Sequence, residues 1–110
     1  MFAQEGDNME FLVLAYDGAD GAVPGRRLAN RAAHLELIGK LVAQGKVLYG
    51  AAILDEAERM IGTALVCDFP SRAEVDAWLE VEPYVTGGVW KKIDIQRCKT
   101  GPAFVKKPSK

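Results

Sequence analysis

Apolar positions in this chain first run together and then spread out. Phe11-Leu12-Val13-Leu14-Ala15-Tyr16 is an unbroken apolar stretch closed by Asp17-Gly18, as in a central strand covered on both faces. Gly18 to Gly25 contains Gly21 and Pro24 as well, and this punctuation predicts a loop. From Arg26 to Gln44 the period lengthens. Leu28, Ala32, Leu35, Ile38 and Val42 recur at helical steps and predict the inward face of a helix, with Gly45 just past its end. Arg27, Arg31 and His34 form a second stripe at the border of that face.

Val47 to Leu54 predicts a second strand, in which Gly50-Ala51-Ala52 marks a bend or a close approach. Asp55-Glu56-Ala57-Glu58-Arg59 is a polar connection to a third strand, Ile61 to Phe69, paired with the second as a hairpin. Ser71-Arg72-Ala73-Glu74 is a capping box. It opens a helix through Val75, Trp78 and Leu79 to about Val81, ended by Pro83 and Gly87-Gly88. Trp90 to Arg97 is the last strand, with Ile93 and Ile95 alternating against Lys92, Asp94 and Gln96. The order strand, helix, strand, strand, helix, strand is the split β-α-β arrangement of an α+β, ferredoxin-like domain. Both helices cover one face of an antiparallel sheet. The other face also carries apolar side chains, and a second copy of the chain is its simplest cover.

Size and charge narrow the functional classes. The chain of 110 residues makes one domain, read as residues 9–98 with a polar leader at 1–8 and a tail at 99–110. The leader is expected to be disordered and Met9 to be the functional start. With 14 basic and 15 acidic residues the net charge is -1, so no general positive field attracts nucleic acid. The basic end, Lys106-Lys107-Pro108-Ser109-Lys110, reads as a solvated tail. The first residues lack the pattern of a secretion signal, and no apolar run approaches a membrane span. Cys67 and Cys98 lie outside any CxxC pair. One histidine cannot complete a zinc set with them, so no metal is expected, and two lone thiols suit the reducing cytoplasm.

Few residues can carry chemistry. His34 is the only histidine, placed on a helix that follows a glycine-rich loop, and histidine is the commonest general base. Glu82-Pro83-Tyr84 is the second candidate. Pro83 explains a helix stop, but a glutamate at a helix C-terminus opposes the dipole, and residues set against local preference mark function more often than residues that fit. Other arrangements fail. Ser71 is occupied as a cap. Gly18-Ala19-Asp20-Gly21 is no dinucleotide fingerprint. The third strand lacks the aromatic signature of an RNA-binding sheet. Trp78 and Trp90 read as core or interface.

The Arg31-Ala32-Ala33-His34-Leu35 run, Gly45-Lys46-Val47-Leu48 and the turn Glu82-Pro83-Tyr84 followed by Gly88-Val89-Trp90 together resemble the YciI-like (YCII-related) family, over about Met9 to Cys98. The resemblance implies a dimeric α+β barrel, with two ferredoxin-like units packed sheet against sheet. It also implies a cleft holding the helix-one histidine and the acid of an Asp-Pro-Tyr-like turn as a catalytic dyad, here His34 and Glu82. Two positions depart from the family pattern: glutamate replaces the usual aspartate, adding a methylene, and Ala51-Ala52 stands where Gly-Pro is common. The activities suggested for the family are lyase-like, including loss of halide from aromatic substrates.

Two readings follow. In the first, the chain is an enzyme without a cofactor. His34 takes a proton from a small substrate, Glu82 orients the ring, Arg27 and Arg31 bind an anionic group, and Tyr84 lines the pocket. In the second, the same dimer binds a metabolite without transforming it. Both expect a small-molecule ligand, self-association as a homodimer or higher oligomer, and neither nucleic acid nor membrane as partner.

Overall fold

The computed structural model describes residues 8–104. Four strands form one antiparallel sheet: β1 (Met9–Asp17), β2 (Val47–Leu54), β3 (Met60–Phe69) and β4 (Trp90–Cys98), in the order β2-β3-β1-β4. Helix α1 (Val23–Ala43) follows β1, and α2 (Arg72–Val81) follows β3. A four-residue turn of helix, α3 (Pro83–Thr86), stands between α2 and β4, and a single 3-10 turn, Pro102–Phe104, comes last. This is the expected α+β, ferredoxin-like arrangement. The expectations for the leader and the basic tail fall on residues 1–7 and 105–110, outside the described residues.

Strand β1 is interior, as its apolar run requires. Val13 lies between Leu65 of β3 and Ile95 of β4. Its odd positions Phe11, Val13 and Ala15 are buried toward the helices. There they meet Leu65, Cys67 and Phe69 of β3, and Val75, Trp78 and Leu79 of α2. Phe69 and Trp78 stack with ring centroids 5.9 Å apart. Burial pushes the Cys67 thiol up to about 12, with a smaller push from Cys98. The opposite face of the sheet presents Leu12 and Leu14 beside Val66 and Ala64, with Tyr49 and Ala51 of β2 beyond them.

The α2 cap is as expected: Ser71 Oγ accepts from the Glu74 amide at 3.3 Å. Helix α1 differs in two ways. It begins three residues early, at Val23, because Pro24 sits in the first turn, where its missing N–H costs nothing. Its buried residues are Val23, His34 and Leu41, with Leu37 and Ile38 packed on the core. The face chosen from periodicity is mostly wet: Leu28 is 76% exposed, and Leu35 and Val42 are also exposed. The helix is apolar over a wide arc, and a buried histidine on the inner face broke the apolar pattern there. The supposed border stripe is therefore the interior at His34. Gly45, with φ +76, ends α1 in the left-handed conformation that favours glycine.

Candidate functional site

Glu82 closes α2 and opens α3. Its backbone is extended, with φ -67 and ψ 122, as a residue before proline must be, and Pro83 then starts the short helix. In that position the Glu82 side chain turns inward as the cap of α3. Its Oε2 accepts from the Tyr84 amide at 3.1 Å. Its Oε1 accepts from Trp78 Nε1, one turn back on α2, at 3.0 Å. The same Oε2 is hydrogen-bonded to Nδ1 of His34. Glu82 is 0% exposed. A carboxylate survives such burial only when donors surround it, and here three do.

His34 reaches this carboxylate from α1 and is itself buried. Its ring stacks on Tyr84, with centroids 3.9 Å apart and planes 9° from parallel. Trp90 meets both rings edge-on, at 5.6 Å from His34 and 5.7 Å from Tyr84. The tight approach of α1 to α3 depends on Gly87, where any Cβ would collide with the Asn30 side chain. Asn30 is fixed in turn by a 2.9 Å bond from its Nδ2 to the Arg26 carbonyl.

This geometry sets the state of the imidazole. An ionised carboxylate only accepts hydrogen bonds, so Nδ1 carries the proton. In the neutral ring, Nε2 then keeps its lone pair. Among the described residues Nε2 has no hydrogen-bond partner, and the His34 side chain is 10% exposed. A base held in one tautomer, with its second nitrogen unbonded, is equipped to take a proton.

Arg27 lies above this cluster. Its guanidinium carbon is 5.1 Å from the Tyr84 ring centroid, and its NH2 pairs with Asp17 at the end of β1. Arg27 and Asp17 also line an open cleft of about 630 Å³, together with Pro24, Asp55, Arg59 and Ile61. The dyad stands one layer behind that cleft. At the cleft mouth Asp20 accepts from Arg26 at 2.9 Å and from the Ala22 amide at 3.0 Å. These bonds, Arg26 first, hold its carboxyl below the usual range.

Of the residues expected from sequence, His34, Glu82, Tyr84 and Arg27 come together. Arg31 is exposed and has no hydrogen bond or ion pair to the cluster among the described residues. Three contributors escaped the sequence reading. Trp78 and Trp90, read as core or interface, hold the carboxylate and the imidazole. Asp17, read as a strand end, anchors Arg27. The spacing of Trp78 and Glu82, one helical turn apart, is the signal that could have paired an indole donor with its acceptor. Among the described residues no cluster of three or more His, Cys, Asp or Glu could hold a metal, and no helix is long and apolar enough to cross a membrane.

Known proteins share this arrangement of elements. The YCII-related domain model matches residues 9–99. The chain belongs to the YCII-related domain family. Protein YciI of Escherichia coli O6:H1 is 28% identical over 97 residues, covering 83% of this chain and 97% of that protein. Protein YciI of Shigella flexneri matches to the same extent. Among solved structures, 5-chloro-2-hydroxyhydroquinone dehydrochlorinase (TftG) from Burkholderia phenoliruptrix AC1100, in complex with 2,5-dihydroxybenzoquinone, superposes with a TM-score of 0.72. It is 28% identical, with 86% of this chain and 98% of that chain covered. The family and its ferredoxin-like fold are thereby established for this chain, and its structural neighbour is a small-molecule enzyme.

Proposed function

We propose that this protein is a lyase-like acid/base enzyme acting on a small hydroxylated ring. His34 Nε2 takes a proton from the substrate. His34 returns that proton to the chlorine-bearing ring carbon, which becomes tetrahedral beside a new ketone. Loss of a second hydroxyl proton to His34 then drives the ring electrons toward that carbon, and chloride departs with its bonding pair, leaving a quinone. The imidazolium is stabilised by the Glu82 carboxylate, and its proton passes to water to complete the cycle. Arg27 receives the developing oxyanion, Tyr84 supports the imidazole face, and Arg31 guides an anionic substrate from the surface.

The observation that carries this reading is the buried Glu82–His34 bond, which fixes the tautomer and leaves Nε2 free. The dehydrochlorinase neighbour supports the reaction class. The test is chloride release from 5-chloro-2-hydroxyhydroquinone and from a panel of chlorinated hydroquinones. His34→Asn should lower kcat by roughly 100-fold or more, the ordinary worth of a positioned base. Equal rates for the wild type and His34→Asn would refute the assignment. Binding without turnover of any ring in the panel would favour the non-catalytic reading.

The same proposal includes a cytoplasmic homodimer. The open sheet face, with Leu12, Leu14, Tyr49 and Val66, offers the apolar surface that a second copy would cover. Sedimentation of a monomer alone at micromolar concentration would refute the dimer without touching the dyad.

A further inference from the structure

Among the described residues, three polar atoms on the helix-facing side of the sheet are buried without a hydrogen-bond partner: Asp17 Oδ1, Thr63 Oγ1 and Trp90 Nε1. Unmade bonds of this kind cost stability, and native proteins carry few of them. These three share one corner. Asp17 is the register partner of Trp90 across β1 and β4. Thr63 is the partner of Ala15, two positions back along β1. The Asp17–Trp90 pair lies at a bulge in the β1–β4 register. Thr63 and Trp90 stand on the strands either side of β1, about 10 Å apart, roughly the distance between two opposite ring oxygens with a hydrogen bond of about 2.8 Å added at each.

Each side chain is enclosed. The Asp17 side chain is 8% exposed, and Thr63 and Trp90 are 9% and 3% exposed. Asp17 borders the cleft, Trp90 borders the dyad, and Thr63 lies on the strand beside Asp17. Trp90 edges the His34 ring. Asp17 lines the cleft and spends its other oxygen on Arg27, the side chain that borders the cleft and covers Tyr84. Packing alone does not account for an acceptor and two donors left unsatisfied on adjoining strands beside a proton-accepting histidine.

We propose that Asp17, Thr63 and Trp90 form a recognition subsite for a ring bearing at least two oxygen substituents, one of them a neutral hydroxyl. Asp17 Oδ1 accepts from that O–H. Trp90 Nε1 and Thr63 Oγ1 donate to ring oxygens. Displacement of the Arg27 guanidinium from Asp17 toward the substrate oxyanion opens the way in. This subsite deepens the proposed function and rests on it: it selects the ring that His34 then deprotonates. Rings without a free hydroxyl leave Asp17 unsatisfied and are rejected, since a site built for hydrogen bonds discriminates strongly against analogues that lack them.

The test uses chlorohydroquinone, a neutral ring with two hydroxyls, and its dimethyl ether as the matched ring without donors. The chain has two tryptophans. Their indole N–H resonances are assigned with Trp90→Phe, and the Trp78 signal, bonded to Glu82, reports the fold. Chlorohydroquinone should shift the Trp90 indole resonance downfield, and the dimethyl ether should not. Thr63→Val and Asp17→Asn should each weaken binding roughly 5- to 30-fold while the Trp78 signal stays in place. In Asp17→Asn the carboxamide oxygen serves Arg27 and its NH2 can only donate, so the ligand O–H loses its acceptor. Failure of chlorohydroquinone to bind at millimolar concentration, binding that leaves Trp90 unmoved, or equal binding of the ether would overturn the subsite. Intact binding with equal turnover by His34→Asn would instead overturn the dyad and leave the subsite standing.

Discussion

Replacing Glu82 by glutamine changes one atom and breaks an arrangement that has no slack. The carboxylate receives three donors and gives none: Trp78 Nε1–H, the Tyr84 amide and His34 Nδ1–H. Glutamine offers one acceptor and one donor group. If its oxygen faces Tyr84 and His34, its NH2 confronts the Trp78 indole. If its oxygen faces Trp78, its NH2 confronts the Tyr84 amide. His34 can adapt to the second case by moving its proton to Nε2, but neither an indole nor a backbone amide can reverse its polarity. One buried donor is therefore orphaned in either orientation, at about 1–3 kcal/mol. Burying a neutral amide in place of an anion offsets part of the loss of charge-assisted bonds. The net expectation is a destabilisation of about 1–3 kcal/mol, read as a lower urea midpoint at unchanged m. Glu82→Ala orphans all three donors and leaves a void, so its loss should exceed about 4 kcal/mol, beyond the range of ordinary substitutions. Glu82→Gln within about 0.5 kcal/mol of the wild type would refute the triple-acceptor argument.

The remaining predictions follow from single features of the fold. Cys67, buried and held protonated, should react with a thiol reagent only on unfolding, while half-buried Cys98, beside Leu12, Tyr49 and Val66 on the open sheet face, should react in a monomer and be shielded in the proposed dimer. The raised Cys67 thiol keeps a proton that the unfolded chain releases, so stability should fall as pH rises from about 9 toward 12. The slope from this group is at most about 1.4 kcal/mol per pH unit, and it should vanish in Cys67→Ala. Thr63→Val removes an orphaned hydroxyl at nearly constant shape, so it should raise thermal stability by about 1 kcal/mol while weakening ring binding; a destabilised variant would show that the hydroxyl is already satisfied. Leu28→Glu should leave stability within about 0.5 kcal/mol, because that face of α1 is wet; a loss of several kcal/mol would restore the face chosen from periodicity.

Strands were the most legible part of this chain. The apolar run of β1 requires cover on both faces and a central place, the alternation of Ile93 and Ile95 marks the wet side of β4, and the pairing of β2 with β3 follows from their short connection. Helix α1 was harder for a physical reason. Val23, Leu37 and Leu41 share the inner side with Arg27 and His34, and those polar residues erased the apolar stripe that would have identified it. The gaps in the pattern were the residues of the proposed site. Glu82 was legible as a residue at odds with the α2 dipole. Its resolution was not, because α3 is only four residues long and glutamate is not among the favoured cap residues. Asp17, Thr63 and Trp90 could not be grouped from sequence, since their proximity arises from cross-strand register.

The central claim is that Glu82 holds the neutral His34 ring with its proton on Nδ1 and its lone pair on Nε2. With a single histidine in the chain, a long-range 1H–15N correlation spectrum of the imidazole reads this without ambiguity. A protonated Nδ1 and a bare Nε2 are expected in the neutral ring. A neutral ring with its proton on Nε2 would contradict this claim.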